Sequence, residues 1–376
     1  MVKEKRTILI FTGYNQRAIV AFLRTIEPLN IPYVLVARNN DDTIFLTEYA
    51  NKVIKTRTTD ELKLTELLHM LVDIRVQTQS GSLWIAPSTE YLNRFLLKNK
   101  NALEAQNFII PLVELELYKL ISNKKSFGDL CCKNGIHTPN ERQFSEKFHS
   151  PYVAKPIQYV TAKNKPTKPY LIENQEQHNQ FINLCDQKDF YYQDLILGES
   201  YYLLFYFYKD GSYELTTQRN LLQQFGGKSI LAAELCELVF EDEIMKYIKL
   251  FQDLNFFGLV MIEIRVHNKT PYMIEANPRF WGPSQLFVDG KVNLFESFLY
   301  DWELIENKPI MPRTPRAQYF WLGGIVSDHL EGKLPLELDH GHHFNPLQIN
   351  KEWLQIDVYN RNDTKMIFTK EAPDYV

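Results

Sequence analysis

The segment from position 258 to 282, GLVMIEIRVHNKTPYMIEANPRFWG, holds the residues whose types and spacing are best suited to chemistry. Apolar stretches on both sides of a polar turn predict a β-hairpin, in which Glu263 falls opposite Ile274 or Glu275. Glu275 and Asn277 stand two positions apart on one strand, so their side chains share a face. Two carboxylates that meet in this way repel each other unless a cation lies between them.

A magnesium ion suits this group of side chains. Mg²⁺ binds a few carboxylate oxygens and completes its shell with water and substrate phosphates, while Asn277 supplies a neutral oxygen that limits the negative charge. Mn²⁺ stays open as the ion. Arg279 follows closely, and its planar guanidinium can hold a phosphate. The other interpretation is a solvated hairpin face, but the apolar opposite face and the following Asn-Pro-Arg-Phe favour a metal site.

The string IEANPRFWG at 274–282 resembles the signature of the ATP-grasp superfamily of ligases. In that superfamily, a glutamate of one strand and the Glu-x-Asn-Pro-Arg of the next strand hold the magnesium ions. Three upstream strings resemble further family motifs in the family's order: SNKKSF at 122–127, YVAKP at 152–156 and YQDLILGE at 192–199. The resemblance extends from Tyr118 to the region of Tyr300.

The resemblance implies how a nucleotide would bind. Lys124 would contact the α-phosphate side of ATP, with Lys125 as an alternative one residue further on. Lys155 would contact the α- and β-phosphates. Backbone amides and apolar side chains of four consecutive residues would line the adenine: Gln193, Asp194, Leu195 and Ile196.

The same resemblance leaves two further positions to assign. The family's ribose-binding acid follows the glycine of the adenine linker; Glu199 is the acid available here, whereas strict register places Ser200 at that position. Arg219 precedes a loop that carries Gly226-Gly227, and it would make a second phosphate contact. The alternative for this loop is a simple flexible turn.

The segment 157–169, IQYVTAKNKPTKP, departs from the family pattern because it lacks the glycines of the family's mobile loop. Lys163, Lys165 or Lys168 could replace backbone amides with charge if this segment closes over ATP. The alternative is an altered lid with reduced or redirected activity.

The elements that must position these residues fall into three parts. Strands and helices alternate over residues 1–115, which predicts an open parallel α/β domain like the one that precedes ATP-grasp domains. Residues 116–310 have the hairpin patterns of an antiparallel α+β body. The resemblance implies that this body is an ATP-grasp domain with a small lid subdomain at about 140–196. Residues 311–376 should pack on that body. Two strands are expected in this last part, at 318–325 and 353–359.

The first strand-to-helix turn, TGYNQ at 12–16, argues against a dinucleotide cofactor. It holds one glycine, whereas the G-x-G-x-x-G fingerprint needs three for close approach to a pyrophosphate. A dehydrogenase that uses the first domain is therefore the weakest hypothesis.

Composition narrows the function classes further. The formal net charge of the 376 residues is −4, which disfavours a general nucleic-acid binder, since such proteins are usually basic. The four cysteines lack metal-ligand spacing and are typical of a reducing compartment. The sequence has neither a secretory signal pattern nor an apolar run near the ~18 residues of a membrane span. We expect a soluble, cytoplasmic protein without a membrane partner, and a homodimer stays open.

The residues and the resemblance together predict ATP-dependent ligation. A substrate carboxylate attacks the γ-phosphate of ATP to give an acyl phosphate and ADP, and an amine then displaces phosphate. Small carboxylate and amine substrates are expected, amino-acid or peptide-like by analogy with the superfamily. The alternative is a catalytically weak ATP-binding or regulatory protein on the same fold.

Overall fold

The computed structural model of the protein describes residues 5–158, 168–237, 240–312, 316–338 and 351–375. The elements of the first part are β1 (Arg6–Phe11), α1 (Gln16–Ile26), β2 (Tyr33–Ala37), β3 (Val53–Thr56), α2 (Leu64–Thr78), β4 (Ser82–Ile85), α3 (Glu90–Lys98), α4 (Lys100–Glu104) and β5 (Phe108–Ile109). The strands form a parallel sheet in the order β3-β2-β1-β4-β5. The predicted open parallel α/β arrangement is confirmed.

Strand β1 is buried on both sides, as its continuous apolar sequence predicts. Ile8 and Leu9 point into two different cores, because successive side chains of a strand alternate between faces. Helix α1 covers the first core and reaches beyond the first part of the chain. The ring of Phe22 lies 4.9 Å from that of Phe280, between centroids.

The turn between β1 and α1 is built for close packing. Gly13 has a φ of +86°, and a Cβ at this position would lie 2.3 Å from the Cβ of Arg38. The Asn15 amide then donates to the carbonyls of Ser88 and Phe280, at 3.0 Å each. The glycine therefore allows the turn to pack closely against Arg38 at the end of β2. The asparagine joins three separate segments.

Two consecutive helices lead from the first part of the chain toward the small sheet. They are α5 (Leu115–Ser122) and α6 (Lys124–Lys133). Asn123 separates them because its side-chain oxygen accepts from the backbone amides of Lys125 and Ser126, at 3.0 Å each, which is N-capping geometry. Lys124 is therefore the first residue of a helix.

The expected lid is a small sheet covered by one helix. Its elements are β6 (Glu141–Arg142), β7 (Tyr152–Pro156), β8 (Tyr170–Ile172), α7 (Gln175–Leu184) and β9 (Phe190–Asp194), with the strand order β6-β9-β7-β8. Lys163 and Lys165 lie outside the described residues. Lys168 lies just before β8, with its ammonium 5.7 Å from the centroid of the Tyr170 ring.

A large sheet forms the centre of the molecule. Its long strands are β10 (Glu199–Phe207), β11 (Tyr213–Gln223), β12 (Ile230–Cys236), β13 (Gly258–His267) and β14 (Thr270–Asn277), with α8 (Glu241–Asp253) between β12 and β13. The antiparallel order is β14-β13-β10-β11-β12. Alternate residues of β10 enter two cores: Leu204 packs with the first part of the chain, and Leu203 packs with α8 and β13.

The remaining elements follow the central strands. They are α9 (Gln285–Asp289), α10 (Leu294–Asp301), β15 (Gln318–Phe320), α11 (Leu322–Leu330), β16 (Leu336–Glu337), α12 (Lys351–Gln355) and α13 (Lys365–Glu371). β15 extends the central sheet beside β12, and β16 pairs with β11. None of the helices among the described residues has the length and apolar character needed to cross a membrane.

The structure differs from the prediction for both strands expected in the last part of the chain. The first ends at Phe320 and continues as α11, because the Asp357 carboxylate accepts from the Leu322 amide at 2.7 Å and fixes the helix start. The second expected strand, at 353–359, begins inside α12 and makes one isolated parallel bridge, between Asp357 and Phe320.

Candidate functional site

The hairpin of β13 and β14 brings the two predicted carboxylates together. Glu263 pairs directly with Glu275, and Met261 pairs with Asn277, so all three polar residues share one face. Of the two partners expected for Glu263, the structure has Glu275. A register shift follows Glu263 and leaves Ile274 as an extra residue of β14.

The polar side chains of β14 form a continuous chain of hydrogen bonds. The Asn277 amide donates to Oε1 of Glu275 at 2.6 Å. Arg279 donates to the Asn277 oxygen at 3.0 Å and to the carbonyl of Phe280 at 2.8 Å. These bonds orient the Asn277 amide and hold the guanidinium of Arg279 against it, two residues further along the chain.

Two lysines from different elements converge on the same strand. Lys124, at the start of α6, forms an ion pair with Oε2 of Glu275. Lys155, on β7, donates to the carbonyl of the extra residue Ile274 at 3.1 Å. Lys125 points elsewhere, to Asp129 at 2.7 Å and to Glu141. Of the two register alternatives, Lys124 is the one that reaches the carboxylates.

Burial changes the acidity of both lysines. Burial lowers the pKa of Lys124 to about 8, although the Glu263 carboxylate opposes the shift. Burial, together with the neighbouring charge of Lys124, lowers the pKa of Lys155 to about 7. A buried ammonium without enough counter-charge gains from an anion. The two lysines therefore form a site that favours a polyanionic ligand.

The donor set fits a hard divalent cation. Among the described residues, no three His, Cys, Asp or Glu side chains lie close enough to hold a metal ion by themselves. Glu263, Glu275 and Asn277 supply two carboxylates and one amide oxygen, which is the partial shell that Mg²⁺ completes with water and phosphate oxygens. The Lys124 ammonium that pairs with Glu275 carries the counter-charge in this structure.

The central sheet has two chemically different faces near this site. Tyr202 pairs with Glu263 on one side and Gln218 on the other, which defines the Glu263 face. Tyr201 pairs with Ile264 and Arg219, which defines the Arg219 face. Cross-strand partners point the same way, so Arg219 and Glu263 lie on opposite sides of the sheet.

This geometry corrects the expected position of Arg219. Its guanidinium donates to Glu199 at 2.9 Å and lies 3.8 Å from Glu234. It therefore does not join the lysines as a phosphate contact. Glu199 lies on the Arg219 face as well, whereas Ser200 lies on the Glu263 face and accepts from the Asn220 amide at 2.9 Å. Of the two ribose candidates, only Ser200 shares the face of the carboxylates.

The expected adenine segment ends β9 and leads toward β10. Gln193 is buried and donates to the carbonyl of Pro139 at 3.2 Å. The Asp194 carboxylate pairs with Arg142, and its backbone amide donates to the carbonyl of Asn140 at 3.0 Å. Leu195 and Ile196 are half-buried beyond the strand. Of these residues, Gln193 and Asp194 already have protein partners.

Sequence reasoning missed a cleft beside the carboxylates. The cleft has a volume of about 870 Å³, and its walls include Glu275 and Asn277 on one side. The first part of the chain contributes residues that follow β1 and β4, among them Tyr14, Glu90 and Tyr91. In open α/β sheets, ligands bind outside the carboxyl ends of the strands, and this rule could have found these residues.

Arg265 is a second residue that sequence reasoning missed. It lies two positions after Glu263, on the same face, and its Nε is 3.5 Å from Oε1 of that carboxylate. The signal was available, because alternation along a strand puts every second residue on one face.

Comparison with known proteins identifies a matching family model and similar folds. Residues 121–283 match a family model described as an ATP-grasp domain. The fold is similar to that of biotin carboxylase from Campylobacter jejuni, with a TM-score of 0.60 and 13% identity over 84% of this chain and 74% of that one. No curated protein sequence matches the chain.

Two other solved structures share the fold with similar TM-scores and sequence identities. L-amino acid ligase from Bacillus licheniformis has a TM-score of 0.55 and 14% identity over 79% of this chain and 74% of that one. N5-carboxyaminoimidazole ribonucleotide synthetase from Thermus thermophilus has a TM-score of 0.59 and 12% identity, over 83% and 81%. The named activities differ, so the shared feature is the fold.

Proposed function

We propose that this chain, which matches an ATP-grasp domain over residues 121–283, is an ATP-dependent ligase that joins a small carboxylate to an amine. The observation that carries the proposal is the direct pairing of Glu263 with Glu275, with Asn277 on the same face. The nucleotide would lie on the Glu263 face with its phosphates toward Lys124 and Lys155. When bound, Mg²⁺ would neutralise charge on the phosphates.

The proposed reaction has two balanced steps. A carboxylate oxygen attacks the γ-phosphorus of ATP, and the bond to ADP breaks, which leaves an acyl phosphate. The amine nitrogen then attacks the acyl carbon, phosphate leaves, and the amine loses one proton. Phosphoryl transfer of this kind depends mainly on positioning and on charge stabilisation, so no side-chain nucleophile is required.

Each positively charged residue of the site would have a defined task. Lys155 and Lys124 would hold the nucleotide phosphates, because both ammonium groups lie against β14. Arg279 would hold the transferred phosphoryl group, because its guanidinium is already oriented by Asn277. The cleft beside Glu275 would hold the carboxylate and the amine.

One observation favours the second candidate, an ATP-binding protein without efficient turnover. Lys124 already forms an ion pair with the proposed metal ligand Glu275, and a cation must displace it. ATP binding without ADP release across a broad substrate panel would support this candidate over the ligase.

A screen of carboxylate and amine pairs with ATP and Mg²⁺ tests the proposal. A ligase releases ADP and phosphate in equal amounts and forms a product with the mass of both substrates minus one water. Glu275→Ala should abolish turnover, whereas Glu234→Gln, on another strand and the Arg219 face, should keep it. Full turnover by Glu275→Ala would refute the site.

A further inference from the structure

We propose that Arg265 is a positioning residue that ties the Glu263 carboxylate to the loop 224–229, which borders the cleft. The inference rests on the proposed function, because Glu263 matters here as the proposed metal ligand. The contacts from which it is argued are all between residues of this chain.

The guanidinium of Arg265 has three partners in three directions. Its Nε lies 3.5 Å from Oε1 of Glu263. Its Nη2 donates to the side-chain oxygen of Gln223 at 2.8 Å, and its Nη1 lies 3.5 Å from the carbonyl of Gly198. A lysine could not make these contacts together, because its ammonium is a point charge without the planar fork of donors.

Gln223 passes the contact on to the loop. Its side-chain nitrogen donates to the carbonyl of Lys228 at 3.2 Å, so one amide group contacts both Arg265 and the loop. The loop is closed at its base by a backbone hydrogen bond, in which the Gln224 N–H donates to the Ser229 carbonyl at 2.9 Å. Its tip is Gly226-Gly227, both in the left-handed region, with φ of +74° and +73°.

The loop forms part of the cleft wall. Lys228 and Ser229 both line the cleft that also contains Glu275. The hydroxyl of Ser229 accepts from Arg17 of the first part of the chain at 2.8 Å. A displacement of the loop would therefore change the cleft, and the chain Lys228–Gln223–Arg265–Glu263 connects that displacement to the carboxylate.

Burial makes this connection rigid. Gln223 is 2% exposed and Glu263 is 7% exposed, and the Arg265 side chain is 13% exposed. Buried polar groups that lose a partner cannot replace it with bulk water. The amide of Gln223 is therefore expected to hold both bonds at once.

A simpler role for Arg265 would be to neutralise Glu263 without any effect on the loop. The two roles differ in what a change at Arg265 does to the loop, because Gln223 bonds to Lys228 directly under either role. Gln223→Met removes the bond to the loop and the bond to Arg265 but leaves the Arg265–Glu263 pair. If Arg265 acts through Gln223, Arg265→Met and Gln223→Met should loosen the loop to a similar extent.

Limited trypsin digestion of the metal-free protein measures the loop directly. Mass spectrometry follows cleavage after Lys228 in the wild type, Arg265→Met, Arg265→Lys, Gln223→Met and the double Met variant. We expect cleavage about tenfold faster in each single variant, because each change removes a hydrogen bond from the connection between Arg265 and Lys228. The double variant should be no faster, since both changes break one connection.

Manganese binding gives the second readout. Titration with Mn²⁺ alone, followed by electron paramagnetic resonance, should show about tenfold weaker binding in Arg265→Met and a smaller loss in Gln223→Met, in line with the effect of residues that orient metal ligands. Arg265→Lys should restore part of the metal affinity but leave the loop fast to cleave. Arg361→Met, which breaks a pair with Asp289, is the matched control, because neither residue of this pair lines the cleft.

The outcomes separate the two proposals. Unchanged cleavage after Lys228 in Arg265→Met, or additive effects in the double variant, would overturn the positioning role. Wild-type protein that binds no Mn²⁺ and no ATP would overturn the proposed function while leaving the loop measurement interpretable.

Discussion

The two faces of the central sheet carry the same pair of residue types with different surroundings. On the Glu263 face, Arg265 lies beside Glu263; on the Arg219 face, Arg219 lies beside Glu199. Glu263 is also paired across the hairpin with Glu275, onto which Lys124 converges. The Arg219 face has Glu234 as a further acid. The comparison shows that the chemistry an arginine–glutamate pair can support depends on the residues that other elements bring to it, and not on the pair itself.

Removal of a carboxylate should produce the largest difference in ATP turnover between the two faces. Glu263→Gln should lower ATP turnover by roughly 100-fold or more, because a metal ion stabilises transition-state charge by several kcal/mol. Glu199→Gln, the equivalent change on the Arg219 face, should lower it by less than about threefold. Steady-state ADP release at saturating Mg²⁺ checks both. Equal losses in the two variants would erase the distinction between the faces.

The pH dependence of nucleotide binding sharpens the comparison. The pKa of Lys155 is lowered to about 7, so its charged form is lost as pH rises through that value. Binding of an anion must then restore the proton, and affinity for MgADP should fall about tenfold between pH 7 and 8.5. Calorimetric titration measures this slope, and Lys155→Met should reduce it to the part that Lys124, with its pKa lowered to about 8, contributes. An unchanged slope in that variant would exclude Lys155 as its source.

The ribose candidates give a smaller test of the same comparison. If the nucleotide lies on the Glu263 face, Ser200→Ala should weaken ADP binding about threefold to tenfold, as the loss of one hydrogen bond would. Glu199→Gln should change it less than about twofold. Calorimetry measures affinity, and thermal unfolding shows whether the unpaired Asn220 amide also destabilises the protein. Stronger dependence on Glu199 would reverse the assignment.

Asp357 provides a separate test, of folding stability, from a buried carboxylate on neither face. Burial raises its pKa from 3.8 to about 6, although three backbone amides oppose the shift. The folded state therefore binds this proton more tightly than the unfolded state, and the resulting stability is present below about pH 4 and lost as pH rises through 6.

Thermal unfolding of the wild type and Asp357→Asn between pH 4 and 7 tests this sign. The stability of the wild type relative to the variant should fall by about 2.5 kcal/mol over that range, because one unit of pKa shift is worth about 1.4 kcal/mol and most of the shift from 3.8 to about 6 is expressed between pH 4 and 7. A relative stability that rises with pH would contradict the raised pKa.

The sequence predicted the local chemistry better than the long-range geometry. Alternation on β14 correctly placed Glu275 and Asn277 on one face, because that period is a local property. The partner of Glu263 stayed open, because the irregularity at Ile274 depends on packing around the hairpin. Arg219 was misplaced because its face depends on the register of β11 against β10, which spacing to the next motif does not report.

The last part of the chain shows the same limit. The apolar string at 318–325 is equally compatible with a strand and a buried helix, and the difference is made by Asp357, which is 32 residues or more away in sequence. The missed cleft has a related cause, since its walls come from the first part of the chain and from the central sheet. Such contacts across distant segments cannot be obtained from the pattern of one segment.

The three-way contact of Asn15 has a consequence for how substrates exchange. Its amide joins the turn after β1 to the carbonyls that follow β4 and β14, so the first part of the chain and the central sheet are held together at the cleft. The small sheet reaches β14 near the site through the bond of Lys155 to a backbone carbonyl. We therefore expect binding and release to follow rocking of the small sheet, with the walls of the cleft as a stationary frame.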